Sequence, residues 1–377
     1  MKFRIPLAQP EITDADREAV QAVLRTTTLS TGPKVEEFEQ ALCAYLGSPF
    51  AVTVNSGTSA LQLAVEILTL APGSEVILPS FAFAAPLNVL LHCDLKPVFV
   101  DIEADSFNTK TEKIESAITN RTSAILAIHT FGRPLDITAI CAIAKRRGVS
   151  VIEDACEALG AEIRGRKAGT FGDVGVLAFY PNKQITTGEG GVLLSARQDL
   201  DRHARRLRNQ GRDSSLDWYQ HVEAGYSYRL SDINCALGIS QLRRIEAILE
   251  RRQWLARIYD KRLKALPEIL RPSLESTHGR ISWFCYVVQL ARNFSRQDRD
   301  QVCRSLQQQG IGCGRYFAPL HRQPVMSQAS MRFDLPVTDF VADRVLALPF
   351  YNQMTEAEVE EVVAALGNAI AELRRNS

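Results

Sequence analysis

From about residue 50 to 200 the chain alternates short apolar runs with longer amphipathic stretches. Ala51–Val54, Glu75–Leu78, Pro97–Asp101, Ser123–His129, Ser150–Glu153, Val174–Tyr180 and Gly191–Ser195 have the length and composition of strands. Between the earlier ones lie Thr58–Leu70, Ala84–His92, Thr111–Ile118 and Asp136–Arg147, each long enough for a helix. Such alternation predicts a mostly parallel sheet with helices on both faces. The last two strands are joined without a clear helix, so one of them is expected to run antiparallel.

The pattern changes after residue 230. Ser231–Leu266 reads as one or two long helices, with Leu242, Ile245 and Leu249 apolar and a stop at Pro267. Strands are expected at Ser282–Leu290 and Gly312–Phe317. A last helix opens on the capping box Thr355-Glu356-Ala357-Glu358 and presents Val359, Val362, Val363, Leu366, Ile370 and Leu373 on one face. A chain of 377 residues exceeds the size at which one core stops growing. Two domains are therefore expected, 1–250 with the N-terminal segment and 251–377, the long helices bridging them.

Composition narrows the class. Hydrophobic residues make up 46% and charged residues 23%, as in an ordinary globular protein, and the net charge of +1 gives no pull toward nucleic acid or acidic membrane. The eight cysteines include no C-x-x-C pair and show no metal-ligand spacing, which argues for a reducing cytoplasm and against a disulfide scaffold or metal site. The N-terminus has no apolar signal-peptide core, and no run is long enough to span a membrane.

Candidate chemistry sits where strands end. Lys183 lies in Ala178–Val192, AFYPNKQITTGEGGV, just past an apolar strand that Pro181 terminates. A lysine held beside a buried strand end can lose its proton and attack a carbonyl, forming a Schiff base. Asp154 lies 29 residues upstream in Glu153-Asp154-Ala155-Cys156-Glu157. An acid at the C-terminal end of a parallel strand points into the crevice where such sheets bind ligands. Further upstream, Asn55-Ser56-Gly57-Thr58-Ser59 links a strand to a helix, and free N–H groups there suit a phosphate. Pyridoxal 5′-phosphate requires this set: a carbonyl-reactive lysine, an acid that keeps the ring nitrogen protonated, and a phosphate turn.

With those segments the sequence resembles the DegT/DnrJ/EryC1/StrS sugar aminotransferases, pyridoxal-phosphate enzymes of fold type I. The resemblance runs from Ile5-Pro6-Leu7-Ala8-Gln9-Pro10 through Ser30-Thr31-Gly32-Pro33, NSGTSAL, LPSFAF, EDACEALGA, ITTGEGG, GYSYRLSD (Gly225–Asp232) and Pro319-Leu320-His321 to Ala347-Leu348-Pro349. It implies a large domain with a mixed, mostly parallel seven-stranded sheet, and a smaller C-terminal α/β domain. It also implies a homodimer with shared active sites, acting on an amino acid, L-glutamate by analogy, and a nucleotide-linked keto-sugar.

Residue by residue, the resemblance makes Lys183 the catalytic base and cofactor anchor and Asp154 the partner of the ring nitrogen. Gly57 and Thr58 would hold the phosphate. Phe83 would stack on the ring, with Phe81 the competing candidate. Glu157 stands where relatives often carry Gln or His near the ring hydroxyl. Ser30, Thr31, Arg229, Tyr316 and His321 are implied as substrate contacts. Two positions depart from the pattern: Ala178 replaces a serine, and Ser227 an asparagine, that reach the phosphate in relatives. Weaker cofactor retention is expected. His129 is read as a satisfied core or rim histidine, and Asp101 and Glu103 as turn and cap residues.

Two other functions remain open at this level. The ketone could be a cyclitol or another polyol, because the reacting carbon is alike. A sensor that binds the cofactor without turnover would share the fold. The family's sugar dehydratases carry histidine in place of the lysine, which Lys183 argues against.

Overall fold

The computed structural model describes residues 3–213, 217, 220–327 and 333–375. Among these, seven strands form the main sheet. They are β1 (Phe50–Val54), β2 (Glu75–Pro79), β3 (Lys96–Val100), β4 (Thr122–Ile128) and β5 (Ser150–Asp154) and, after a small hairpin of β6 (Glu162–Ile163) and β7 (Arg166–Lys167), β8 (Val174–Ala178) and β9 (Gly191–Ser195). Their order across the sheet is β1-β9-β8-β5-β4-β2-β3.

Strands β3, β2, β4, β5 and β8 are mutually parallel, while β9 runs antiparallel to both β8 and β1. A parallel return needs a crossover of a dozen or more residues, usually helical. The lysine loop instead folds back on itself: the Phe179 N–H donates to Gly190 O at 2.8 Å and the Thr187 N–H to Phe179 O at 3.0 Å. Of the last two strands, β9 is thus the reversed one. Gly191 at its start has no room for a side chain, because a Cβ there would lie 2.5 Å from Ser56 O.

Apolar residues cover both faces of this sheet. One cluster packs Phe38, Leu42, Ile125, Ile140, Phe179 and Leu249 together, and the other Val52, Leu61, Leu78, Leu126 and Leu193. Helix Gly57–Ile67 presents Ala60, Leu61, Leu63 and Ala64 to the second face, with Ser56 capping its start by accepting the Ser59 N–H at 3.0 Å.

The predicted long helical region is two helices, Asp232–Leu242 and Ile245–Leu263. The second spans two cores: Ile245, Ile248 and Leu249 pack with the main sheet, and Leu255, Ala256, Tyr259 and Leu263 with the C-terminal cluster. That cluster surrounds a three-stranded sheet of β10 (Ile269–Leu270), β11 (Tyr286–Leu290) and β12 (Val345–Leu348), covered by helices Arg296–Gln308 and Glu356–Arg375. The Thr355–Glu358 capping box is formed, with N–H donation in both directions. Ile5 also belongs to this cluster, pairing with Ile311 and only 1% exposed, so the first residues pack with the C-terminal part of the chain.

The strand expected at Gly312–Phe317 does not form. Its hydrogen bonds are divided between partners: the Gly312 N–H donates to Ile5 O, whereas Gly314 exchanges both of its bonds with Ala347. A segment split in this way cannot build a ladder. Ser282–Leu290 shortens to Tyr286–Leu290 because the Ser282 N–H is taken by Gly132 O. In a fourth cluster Phe81, Phe107, Phe131 and Phe284 meet.

Candidate active site

The parallel strands end on one edge of the sheet, and there a cavity of about 420 Å³ opens. Three turns converge on it. One carries β1 into helix Gly57–Ile67, one follows β5, and one is the loop between β8 and β9. Gly57, Thr58, Phe83, Asp154, Glu157, Lys183 and Tyr316 all line this cavity.

Lys183 Nζ lies 3.7 Å from Glu157 Oε1 and 4.2 Å from the centroid of the Phe284 ring. Gln184 braces the arrangement from behind: its Nε2 donates to Glu157 O at 2.7 Å and to Ser282 Oγ at 2.9 Å. Glu157 Oε2 accepts the Phe131 N–H at 2.9 Å. Burial pushes the Glu157 carboxyl up despite Lys183 and that N–H.

Asp154 is the last residue of β5. Its Oδ1 accepts the Cys156 N–H at 2.9 Å, and burial pushes its carboxyl up as well. The neighbouring Glu153 points to the other face of the sheet and has the opposite environment. It accepts N–H groups from Gly169, Phe171 and Gly172 and a bond from His129 Nε2 at 2.9 Å. Burial opposes its ionisation, but His129 and those N–H groups outweigh burial and hold Glu153 below the usual range. His129 Nδ1 accepts the Leu135 N–H, so Nε2 carries the hydrogen given to Glu153. His129 is a satisfied core residue.

The turn at residues 55–58 is braced from outside its own sequence. The Asn55 N–H donates to Tyr228 O at 2.9 Å, and Ser59 Oγ donates to Asn55 Oδ1 at 2.7 Å. The first N–H groups of a helix have no carbonyl one turn back, and here they open toward the cavity at Gly57 and Thr58. A Cβ on Gly57 would lie 2.6 Å from the Ala178 Cβ, so the turn sits flush against the end of β8.

These features fit pyridoxal phosphate. A buried carboxyl pushed up by desolvation is completed by a cationic ring N–H, and a helix N-terminus is completed by a phosphate. Two further cavity-lining atoms, Thr130 Oγ1 and Asn182 Oδ1, are buried without a hydrogen-bond partner among the described residues. Phe83 is 64% exposed on the cavity wall, while Phe81 is fully buried in the aromatic cluster.

Other sequence candidates lie elsewhere in this chain. Thr31 and Arg229 line a separate cavity of about 700 Å³, and Ser30 pairs with Ser231 beside it. Arg229 Nη1 donates to Asn209 Oδ1 at 3.0 Å. Ser227 is exposed, bridging Asn209 through backbone bonds. His321 sits behind the cavity wall: its ring bonds Ser80 Oγ at 2.7 Å and Asp339 Oδ1 at 3.1 Å. Asp101 accepts the N–H groups of Val337 and Thr338 and so caps helix Pro336–Ala342 from a distant strand end.

Sequence reasoning missed Thr130, Asn182 and Phe284. Thr130 follows the C-terminal end of β4, so the strand-end logic that singled out Asp154 also applies to it. Asn182 precedes the lysine, and a polar residue there carries no pattern of its own. Phe284 reaches the site from the C-terminal half, with no local signal. Among the described residues no group of three or more His, Cys, Asp or Glu could hold a metal ion, and no helix is long and apolar enough to cross a membrane.

GDP-perosamine synthase of Caulobacter vibrioides is 36% identical, covering 97% of this chain and 98% of the relative. Helicobacter pylori PseC, an aminotransferase involved in the biosynthesis of pseudoaminic acid, superposes with a TM-score of 0.94 at 25% identity, covering 99% of this chain and 100% of that one. The aminotransferase TlmJ of Streptoalloteichus hindustanus gives 0.92 at 29% identity, covering 98% and 100%. The DegT/DnrJ/EryC1/StrS aminotransferase family model matches residues 10–367, and the chain belongs to that family as a pyridoxal-phosphate-dependent sugar aminotransferase.

Proposed function

We propose that the protein transfers the amino group of an amino acid, L-glutamate first among candidates, to the ketone of a nucleotide-linked sugar. The observation that carries this reading is the meeting of Lys183, Asp154 and the Gly57–Thr58 helix start in one cavity. Pyridoxal phosphate, when bound, supplies a carbonyl that captures amines and a ring that accepts electrons from the adjacent carbon.

The chain's own residues supply the rest. The Gly57 and Thr58 N–H groups would hold the phosphate. The Asp154 carboxylate would hold the proton on the ring nitrogen, and Phe83 would stack on the ring. Lys183 Nζ would anchor the carbonyl and, once freed, would move a proton between the substrate carbon and the cofactor carbon, in one direction with the amino donor and in the other with the keto-sugar. The net change is amino acid plus keto-sugar to keto acid plus amino-sugar.

A homodimer belongs to this reading. Ser227 and Arg229 lie outside the cavity of their own chain, and exposed Phe83 and Tyr180 flank its mouth. GDP-perosamine synthase makes a nucleotide-linked amino-sugar by its name, which favours a sugar nucleotide over a free cyclitol.

The test is direct. Protein loaded with pyridoxal phosphate should be yellow, bleach on adding glutamate, and regain its colour with the right keto-sugar nucleotide from a panel, the amino-sugar being read by mass. A protein that stays yellow with every amino donor, or Lys183→Ala that still turns over, overturns the proposal.

A further inference from the structure

The cavity holds two buried carboxyls, Asp154 and Glu157, but a single lysine; a third acid, Glu189, is exposed at the rim. A buried anion without a cation is costly. In the function proposed above, Asp154 is satisfied by the ring N–H, which leaves Glu157 and Lys183 as a pair. Lys183 must be neutral to attack a carbonyl, and an ionised Glu157 would then be stranded.

The geometry is built for exchange between these two groups. Glu157 Oε2 is held by the Phe131 N–H, so Oε1 is the oxygen turned toward Lys183 Nζ, 3.7 Å away. Gln184 ties the backbone of Glu157 to the residue following Lys183. The other titratable groups facing Glu157 are Asp154 and Cys156 from its own turn and Cys285 and Tyr316 from the C-terminal half. None of these is a cation, so among the described residues Lys183 is the cation that faces this carboxylate. Closing the gap to hydrogen-bond length takes a movement of about 0.5–1 Å.

We infer that Glu157 is the proton acceptor that frees Lys183 inside the closed pocket, in addition to any contact it makes with the cofactor. The Nζ–H bond breaks as the Oε1–H bond forms; ammonium and carboxylate become amine and carboxylic acid, and no proton leaves the site. The reverse transfer restores the ion pair. This step rests on the reading of Lys183 as the reacting amine, and it is particular to a chain with an acid at 157.

The experiment uses cofactor-free full-length protein with Asp154→Asn in every sample, wild type at position 157 or varied there, because without the ring N–H Asp154 also faces Lys183. Lys183 is modified with a small aldehyde lacking phosphate, trapped by reduction, and quantified by peptide mass mapping across pH. The wild type is expected to show two phases, because neutral amine appears first by internal transfer and then by loss of the second proton. Glu157→Gln, which cannot take the proton, should give a single phase, and Glu157→Asp should retain two. A single phase in both wild type and Glu157→Gln, whether at one midpoint or merely shifted, overturns the inference and reduces Glu157 to a counter-ion or less. Should Glu157→Gln not fold, the infrared band of a protonated carboxyl in the wild type decides: it must titrate with the second labelling phase. Labelling needs neither glutamate nor sugar, so absence of turnover and absence of proton exchange are separate results.

Discussion

Phe81 and Phe83 stand two positions apart and serve opposite environments. Phe81 is 0% exposed, its ring centroid 5.9 Å from that of Phe107, while Phe83 is 64% exposed beside the cavity. The intervening Ala82 is buried in the core beneath the cavity.

This difference separates folding from cofactor retention. Phe81→Ala is expected to cost about 3–5 kcal/mol of stability, since it empties a core position. Phe83→Ala should leave the unfolding midpoint nearly unchanged and weaken pyridoxal-phosphate binding by roughly 2- to 10-fold. Denaturant unfolding and cofactor titration of the two variants check the pair.

Gly57→Ala should abolish tight phosphate binding and cost about 1–3 kcal/mol of stability. The new methyl would meet the Ala178 Cβ at 2.6 Å and push the helix start out of place. The reciprocal change, Ala178→Ser, adds a hydroxyl beside the same turn and should tighten cofactor binding several-fold. Equal affinities for all three proteins would show that this turn does not hold the phosphate.

The buried acids predict a pH dependence with a definite sign. Asp154 and Glu157 are pushed above the usual carboxylate range by burial. A raised carboxyl contributes stability that is complete below the unfolded-state value and disappears as pH rises through the folded value. Cofactor-free Asp154→Asn should therefore melt above the wild type at neutral pH, and the two should converge in acid. Loaded with cofactor, the order should reverse. Melting curves across pH with and without pyridoxal phosphate test both halves.

Glu39 has the opposite sign. It is buried, accepts the N–H and Oγ–H of Thr53, and pairs with Arg205 at 2.7 Å and Arg208 at 2.6 Å. Burial opposes its ionisation, but the two arginines outweigh burial and hold it below the usual range. Its contribution is present above the unfolded value and is lost as pH falls through the folded one. Glu39→Gln removes the carboxylate shared by Arg208 and Arg205, although Arg205 keeps Asp201 at 2.9 Å, and should cost about 1.5–3 kcal/mol, read by denaturant unfolding at neutral pH.

Much of the site could be read along the chain because its groups follow strand ends. Periodicity located β1, β5 and β8, and the residues at or just past their ends include Gly57, Asp154 and Lys183. Open sheets place ligands at that edge, so local pattern and chemistry led to the same place. The antiparallel β9 was also foreseeable, since a loop without a helix cannot cross over. The resemblance to a known family joined these pieces and added Phe83, Glu157 and Tyr316.

Other features depend on contacts between residues far apart in sequence, which no local period encodes. Ser282 and Gly132, 150 positions apart, share a backbone bond that shortens β11 at its start. Gly312 and Ile5 share another that dissolves an expected strand. His321 is drawn to Ser80 and Asp339 behind the cavity wall, and Phe284 is delivered under Lys183 from the C-terminal half. A residue's type announces what it can bond, and strand and helix periods announce which way it faces. Which partner it meets follows from how the two halves pack, because burial leaves each polar group to find its bond wherever the fold brings one.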